Sequence, residues 1–323
     1  MAVRADELID RRRLRRKLAF WRVAAFLLVA GIVAGAAWWM NGEGTGAALP
    51  HIARVEISGT ITDDKELQER LDRLAETDRV QGVILAINSP GGTTTGGEAI
   101  FEAVRRLAAE KPVVAQVGTL AASAGYMIAT AADHIVARQS SIVGSIGVLV
   151  QYPDVTGLME KIGVQLEGVK SSPLKAEPSP FSPTTEEERA MLRNLVMDSY
   201  DWFVDLVEER RPMTRGQVLA VADGSIFTGR QALERQMIDA VGGEEAVRAW
   251  LEEKGVDEDL EIVDWKAPPS RASWLGISSY AELAARLLGL PSGDDALGRL
   301  GADRMFLDGL LSVWQPDLDA LRD

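Results

Sequence analysis

The sequence predicts an α/β fold built on a mainly parallel sheet, preceded by one N-terminal membrane-spanning helix. Three observations carry this. Between residues 51 and 267, short β-branched runs alternate with amphipathic runs of helical period. Successive strand–turn–helix units imply parallel strands joined by right-handed crossovers, with functional sites at the strands' carboxyl ends. Ahead of them, Val23 to Met40 are eighteen consecutive residues without a charge.

As a helix those eighteen residues reach about 27 Å, enough to cross a hydrocarbon core. Trp38 and Trp39 lie at one end, where indoles sit at a membrane interface. The first 22 residues hold eight Lys/Arg and three Asp/Glu, a net +5 that leaves −18 for the rest of a chain of −13 overall. The positive-inside rule then keeps the N-terminus cytoplasmic and exports everything after Met40. Gly46-Ala47-Ala48 has the small-x-small pattern of a cleavage site, so a removed signal peptide is the rival reading. The expected organisation is a basic segment over 1–22, an anchor over 23–40, and a linker over 41–50. A globular domain over 51–267 and an amphipathic extension over 268–323 complete it.

Within the domain, Ile52–Ser58 reads as a strand and Asp64–Glu76 as a helix with Leu67, Leu71 and Leu74 on one face. Val80–Asn88 reads as a buried strand ending at a glycine turn, Gly97–Ala109 as a helix and Val113–Val117 as a strand. Ser123–Ala132 follows as a helix, and Val164–Val169 is strand-like. The prolines of 170–178 argue for a loop. A long helix is expected from Pro183 to about Arg210, with Met191, Leu195, Tyr200, Phe203 and Leu206 as its core candidates. Thr228 caps another helix, and Leu260–Trp265 closes the domain as a strand. Beyond Pro268, Ser279–Leu290 and Met305–Trp314 are short and amphipathic.

Composition narrows the chemistry. There is no cysteine, which excludes disulfides and thiolate chemistry, and two separated histidines make a catalytic zinc site improbable. No cofactor is implied. A pI near 4.8 argues against non-specific nucleic-acid binding.

Two segments point to acyl transfer. Asn88-Ser89-Pro90-Gly91-Gly92 offers bare glycine amides that can approach a developing negative charge. Leu120-Ala121-Ala122-Ser123-Ala124-Gly125-Tyr126 sets one serine among small residues where a strand hands over to a helix N-terminus. Each also has a plain reading: ordinary turn chemistry for the first, close packing for the second. A serine nucleophile needs a base. His51 precedes the first strand, and His134 reads as a surface residue at a strand entrance, so neither suits a Ser-His-Asp triad. A lysine can serve if it is held neutral. Lys170 and Lys175 are both open from the residues alone.

Taken in order, Asn88–Gly92, Ala121–Tyr126 and Gly144-Ser145-Ile146-Gly147-Val148 closely resemble the markers of the signal peptide peptidase A family (SppA), short bacterial form. The resemblance covers roughly residues 50 to 265 and implies a Clp/crotonase-like fold of repeated β-β-α and βαβ units. It implies a Ser-Lys dyad, with Ser123 as nucleophile and Lys175, 52 residues on, as general base. Ser145 would orient the lysine. Gly91, or Gly92 in its place, would form the oxyanion hole with Ala124. Also implied are membrane-embedded signal peptides as substrates, an inner-membrane location with the domain outside the cytoplasm, and a homo-oligomeric ring. The competing classes are a crotonase-type acyl-CoA enzyme and an inactive membrane scaffold.

Overall fold

The computed structural model describes residues 20–31 and 49–266, and the backbone of 311–313. The chain divides into two units, Met1–Leu49 and Pro50–Asp323. In the first, residues 20–31 form helix α1, whose Phe20, Trp21, Phe26 and Leu27 are all exposed. Among the described residues no helix is long and apolar enough to cross a membrane. The rest of the expected span, 32–40, lies outside the described residues.

The second unit begins with β1 (His51–Ile61), α2 (Lys65–Glu76), β2 (Val80–Thr93), α3 (Thr94–Glu110) and β3 (Val113–Ala122). It continues through α4 (Ala124–Ala131), β4 (His134–Ala137), β5 (Ile142–Gly144), α5 (Thr156–Ile162) and α6 (Glu186–Arg210). The rest are α7 (Arg215–Leu219), β6 (Ile226–Thr228), α8 (Gly229–Glu234), β7 (Ala240–Val241), α9 (Glu244–Glu253), β8 (Ile262–Asp264) and β9 (Leu311–Val313). All nine strands join one sheet of order β6-β5-β3-β2-β1-β8, with β4 between β3 and β7, and β9 on β2. The pairs are parallel except β5–β6 and β2–β9. The expected mixed α/β architecture is therefore observed.

Strand alternation sends two residue sets to opposite faces. Val55, Ile57, Leu85, Ile87, Ala115 and Val117 pack with Leu71 and Leu74 of α2, Val104 and Leu107 of α3, and Phe203 and Val207 of α6. Burying each of the larger side chains contributes about 1.5–3 kcal/mol. On the other face Ile52, Ile84, Val114 and Val136 meet Val247, Trp250 and Leu251 of α9. In β1, β2 and β3 these contacts engage only the amino-terminal half of the strand. Further along, Arg54, Ser58, Ala86, Asn88, Gln116 and Gly118 line an open cavity.

Helix ends follow local chemistry. The Asp64 carboxylate accepts the Leu67 N–H at 3.0 Å and starts α2. The carbonyls at the end of α4 are taken by Arg105 (Ala131 O, 2.7 Å) and Arg210 (Thr130 O, 3.1 Å; Ala132 O, 3.2 Å). Cations there also oppose the helix dipole.

Several expectations need correction, among them β3, which runs past Val117 to Ala122. α6 begins at Glu186 rather than near Pro183, because Thr185 and Glu188 form a reciprocal capping box. Its first half leaves the core: Leu195 is 49% exposed. Residues 164–169 form no strand, and Val164, Leu166 and Val169 are exposed. β2 does not stop at Asn88 but continues through the glycines to Thr93, since β1 follows it through a register shift between Ser58 and Thr60.

His134 is not a surface residue. It stacks on Trp250 at 5.1 Å between ring centroids, with Nδ1 3.8 Å from Asp239, which Arg211 holds by two hydrogen bonds. Burial pushes its pKa down; Asp239 pulls the other way and Arg211 adds to the lowering. The unfolded chain therefore binds the proton first. Stability is full above the ordinary imidazole value of about 6.5 and falls as pH drops below it. Equilibrium denaturation between pH 7 and 5 should show that decline, and His134→Gln should flatten it.

Candidate active site

The serine turn is built from small residues. Ala121, Ala122 and Ala124 are fully buried, so β3 runs into α4 with no side chain to hold the two apart. Between them Ser123 takes φ 58 and ψ −120, a conformation that L residues seldom adopt. The strain is held from both sides. Ser123 N–H donates to Gly144 O at 2.8 Å, and its carbonyl accepts the Met127 N–H at 2.9 Å. Ser123 is only 1% exposed. Tyr126 anchors the helix behind it, donating to Met237 O at 2.8 Å, and burial raises the phenol's pKa far above its ordinary value.

Ser145 lies across the β3–β5 pair, where Ala122 is the register partner of Gly144. It too has positive φ, 52, and its N–H donates to Ser225 O at 2.7 Å. Two adjacent non-glycine residues of unfavourable backbone geometry thus face each other across one strand pair. Such strain is stored where surrounding structure over-determines it, and active sites are its usual location.

The glycine segment closes the other side. A Cβ on Gly125 would fall 2.9 Å from Ser89 O, so the serine turn lies directly on β2. Gly91 has φ +109, and its N–H donates to Ser89 Oγ at 3.1 Å; that hydroxyl in turn donates to Gly59 O at 2.7 Å. Ser89 is fully buried. Sequence reasoning overlooked it because a serine before Pro-Gly reads as turn filler. Its hydroxyl ties β1 to the glycine segment and holds the Gly91 amide. Any anion at that amide competes with Ser89, whereas the Ala124 amide opens α4, at the positive end of its dipole.

The edge beyond the glycines is paired. Gly91, Gly92 and Thr93 are register partners of Val313, Ser312 and Leu311 in antiparallel β9. The expectation of an amphipathic segment over Met305–Trp314 covers these residues, and the backbone of three of them is a strand.

The structure thus brings Ser123, Ser145, Gly91, Gly92 and Ala124 to one place. Lys175 lies on an exposed turn, its N–H donating to Ser172 O at 3.2 Å. Its ammonium has no hydrogen bond or ion pair among the described residues. The competing lysine is engaged: Lys170 pairs with Glu177, whose side chain is 6% exposed.

A family model described as Clp protease matches residues 48–143, and one described as Peptidase family S49 matches residues 105–257. The chain is 40% identical over 195 residues to "Putative protease" of Methanocaldococcus jannaschii, covering 60% of this chain and 63% of that protein. It is 36% identical over 242 residues to "Putative protease" of Synechocystis, covering 73% of this chain and 87% of that protein. With "Putative signal peptide peptidase SppA" of Enterococcus faecium it shares 32% over 248 residues, 72% of each chain. The chain belongs to peptidase family S49. Its SppA-like character accords with the parallel-dominated sheet, and an S49 member is a peptidase. The two matched regions overlap over residues 105–143, which contain the serine turn and the start of β5.

Proposed function

We propose that this S49 peptidase is a serine endopeptidase in which Ser123 attacks the substrate and Lys175 is the general base. The observation that carries the reading is the strained Ser123 turn, opening α4 at the carboxyl end of a parallel strand and lying on the glycine segment. Lys175 in its neutral form takes the Ser123 hydroxyl proton as Oγ bonds to the peptide carbonyl carbon. The Ala124 amide, with that of Gly91 or Gly92, stabilises the oxyanion. The same lysine protonates the departing amine, and water activated by it releases the acyl group. Ser145 orients the ammonium. The dyad requires the Lys175 ammonium group to reach the Ser123 hydroxyl, within the chain or across subunits of a ring.

The substrates we assign are signal peptides left in the membrane after preprotein processing. An extended peptide suits the site, since the Gly91–Thr93 edge already pairs with a strand. The location we assign is the inner membrane with the peptidase outside the cytoplasm; the exposed apolar residues of α1 behind a basic N-terminal sequence support it. A ring is supported by exposed Leu158, Ile162, Leu166, Leu195 and Met197 on the segments around the lysine loop.

The test is hydrolysis of an apolar signal-peptide substrate by the wild type and lysine variants. Lys175→Ala should lower kcat by ~10³-fold or more with the fold unchanged, while Lys170→Ala stays near wild type. Equal loss in both variants would point to loop structure rather than base chemistry. Wild-type inactivity in a folded assembly would favour the scaffold reading, and binding of acyl-CoA the crotonase one.

A further inference from the structure

We infer that the cleft on the half-covered face of the sheet is a binding site for a carboxylate, centred on Arg70. The cavity has a volume of about 530 Å³, and its charged lining is Arg54, Arg70, Arg138, Lys266, Glu56 and Asp264. Arg70 belongs to α2 on the opposite face. β8 pairs only with Ile52–Arg54 of β1, and past that point Arg70 reaches the cavity alongside Glu56 and Ser58.

Arg70 is 8% exposed and has no ion pair or hydrogen bond among the described residues; its Nε is wholly buried without an acceptor. A guanidinium largely withdrawn from water without a counter-charge is destabilising, and the donors it turns to the cavity match a carboxylate in two-point fashion. The neighbouring charges fix how much is missing. Arg54 is spent on Glu244 at 2.6 Å and Asp264 at 3.9 Å, and Lys266 faces Asp264 at 4.0 Å. Arg70 and Arg138 are left against Glu56 alone, and Glu244 is shared with Arg248 at 3.4 Å, so the cluster of cations outnumbers its carboxylates. Neutral Asn88 and Gly118 complete the wall, three residues before Gly91 and five before Ser123. A carboxylate held here is therefore within reach of a peptide lying along the glycine segment, as its free C-terminus or as an acidic side chain. Only that choice of carrier rests on the peptidase reading.

The experiment measures thermal unfolding of the full chain in detergent, in a Ser123→Ala background so that peptides survive, at fixed ionic strength. Probes are acetate, N-acetyl-trialanine, its C-terminal amide, and N-acetyl-Ala-Asp-Ala amide. N-acetyl-trialanine at about a hundred times its Kd should raise Tm by roughly 5 °C or more, and its amide should not. A shift with the aspartyl peptide instead assigns the side-chain source, and equal shifts with acetate a small carboxylate. Arg70→Met should melt higher than its parent without ligand and lose the response, because it removes both the uncompensated charge and the fork. Arg70→Lys should fold and weaken binding ~10-fold or more. Absence of a shift with every carboxylate, or an undiminished shift in Arg70→Lys, would overturn the site. Hydrolysis by the Ser123 form, assayed separately, stands or falls without it.

Discussion

Ser123→Ala should abolish peptide hydrolysis, by ~10⁴-fold or more in kcat, while leaving the thermal midpoint close to wild type. The two halves follow from different features. The hydroxyl is the only atom lost, and alanine at φ 58 inherits the strain that serine bears. Glycine at the same position has no such penalty, so Ser123→Gly should be equally inactive yet more stable by about 1 kcal/mol. An active Ser123→Ala enzyme would remove the nucleophile assignment. A Ser123→Gly protein less stable than Ser123→Ala would show that the turn is not strained.

Gly92→Ala should be among the most damaging single substitutions in the domain. Its Cβ would lie 1.9 Å from Ile61 O and 2.5 Å from Ile61 N and C, all backbone of the paired strand. No rotamer relieves such a clash, so β1 and β2 must separate where they frame the site. A loss of about 4 kcal/mol or more is expected, enough to leave little folded protein. Gly216→Ala is the matched control, since nothing lies within 4 Å and α7 gains a better helix former. Denaturant midpoints for the pair should therefore move in opposite directions. A Gly92→Ala protein of wild-type midpoint would mean that this approach of the strands is not fixed.

Much of the fold could be read from the sequence because its signals are local. The Leu67, Leu71 and Leu74 spacing and the Asp64 cap locate α2 to within one residue, and the runs of β-branched residues locate the starts of β2 and β3 but not their ends. The serine turn was legible because few sequences place a single serine among four small residues after a strand. What escaped depends on distant partners. The extension of β2 to Thr93 needs β1 beside it, and the exposure of Leu195 needs to know where α6 leaves the sheet. His134 was misplaced because its shelter comes from Trp250, more than a hundred residues away. Ser89 and Arg70 are single polar residues whose meaning lies in what they do or do not touch, which no spacing encodes. The spacing of Lys175 from Ser123 is visible in the chain, but the approach of its ammonium to the serine is a tertiary or quaternary event.

The antiparallel pairing of Leu311–Val313 with Gly91–Thr93 has a kinetic meaning. Those backbone groups are where an extended peptide would add, and a tethered segment already holds them at an effective concentration on the order of millimolar. Incoming peptides must out-compete a ligand that can never diffuse away. For the peptidase proposed above, apparent affinity would then be a ratio of two strand-pairing equilibria, and short or weakly pairing peptides would be filtered out before reaching Ser123.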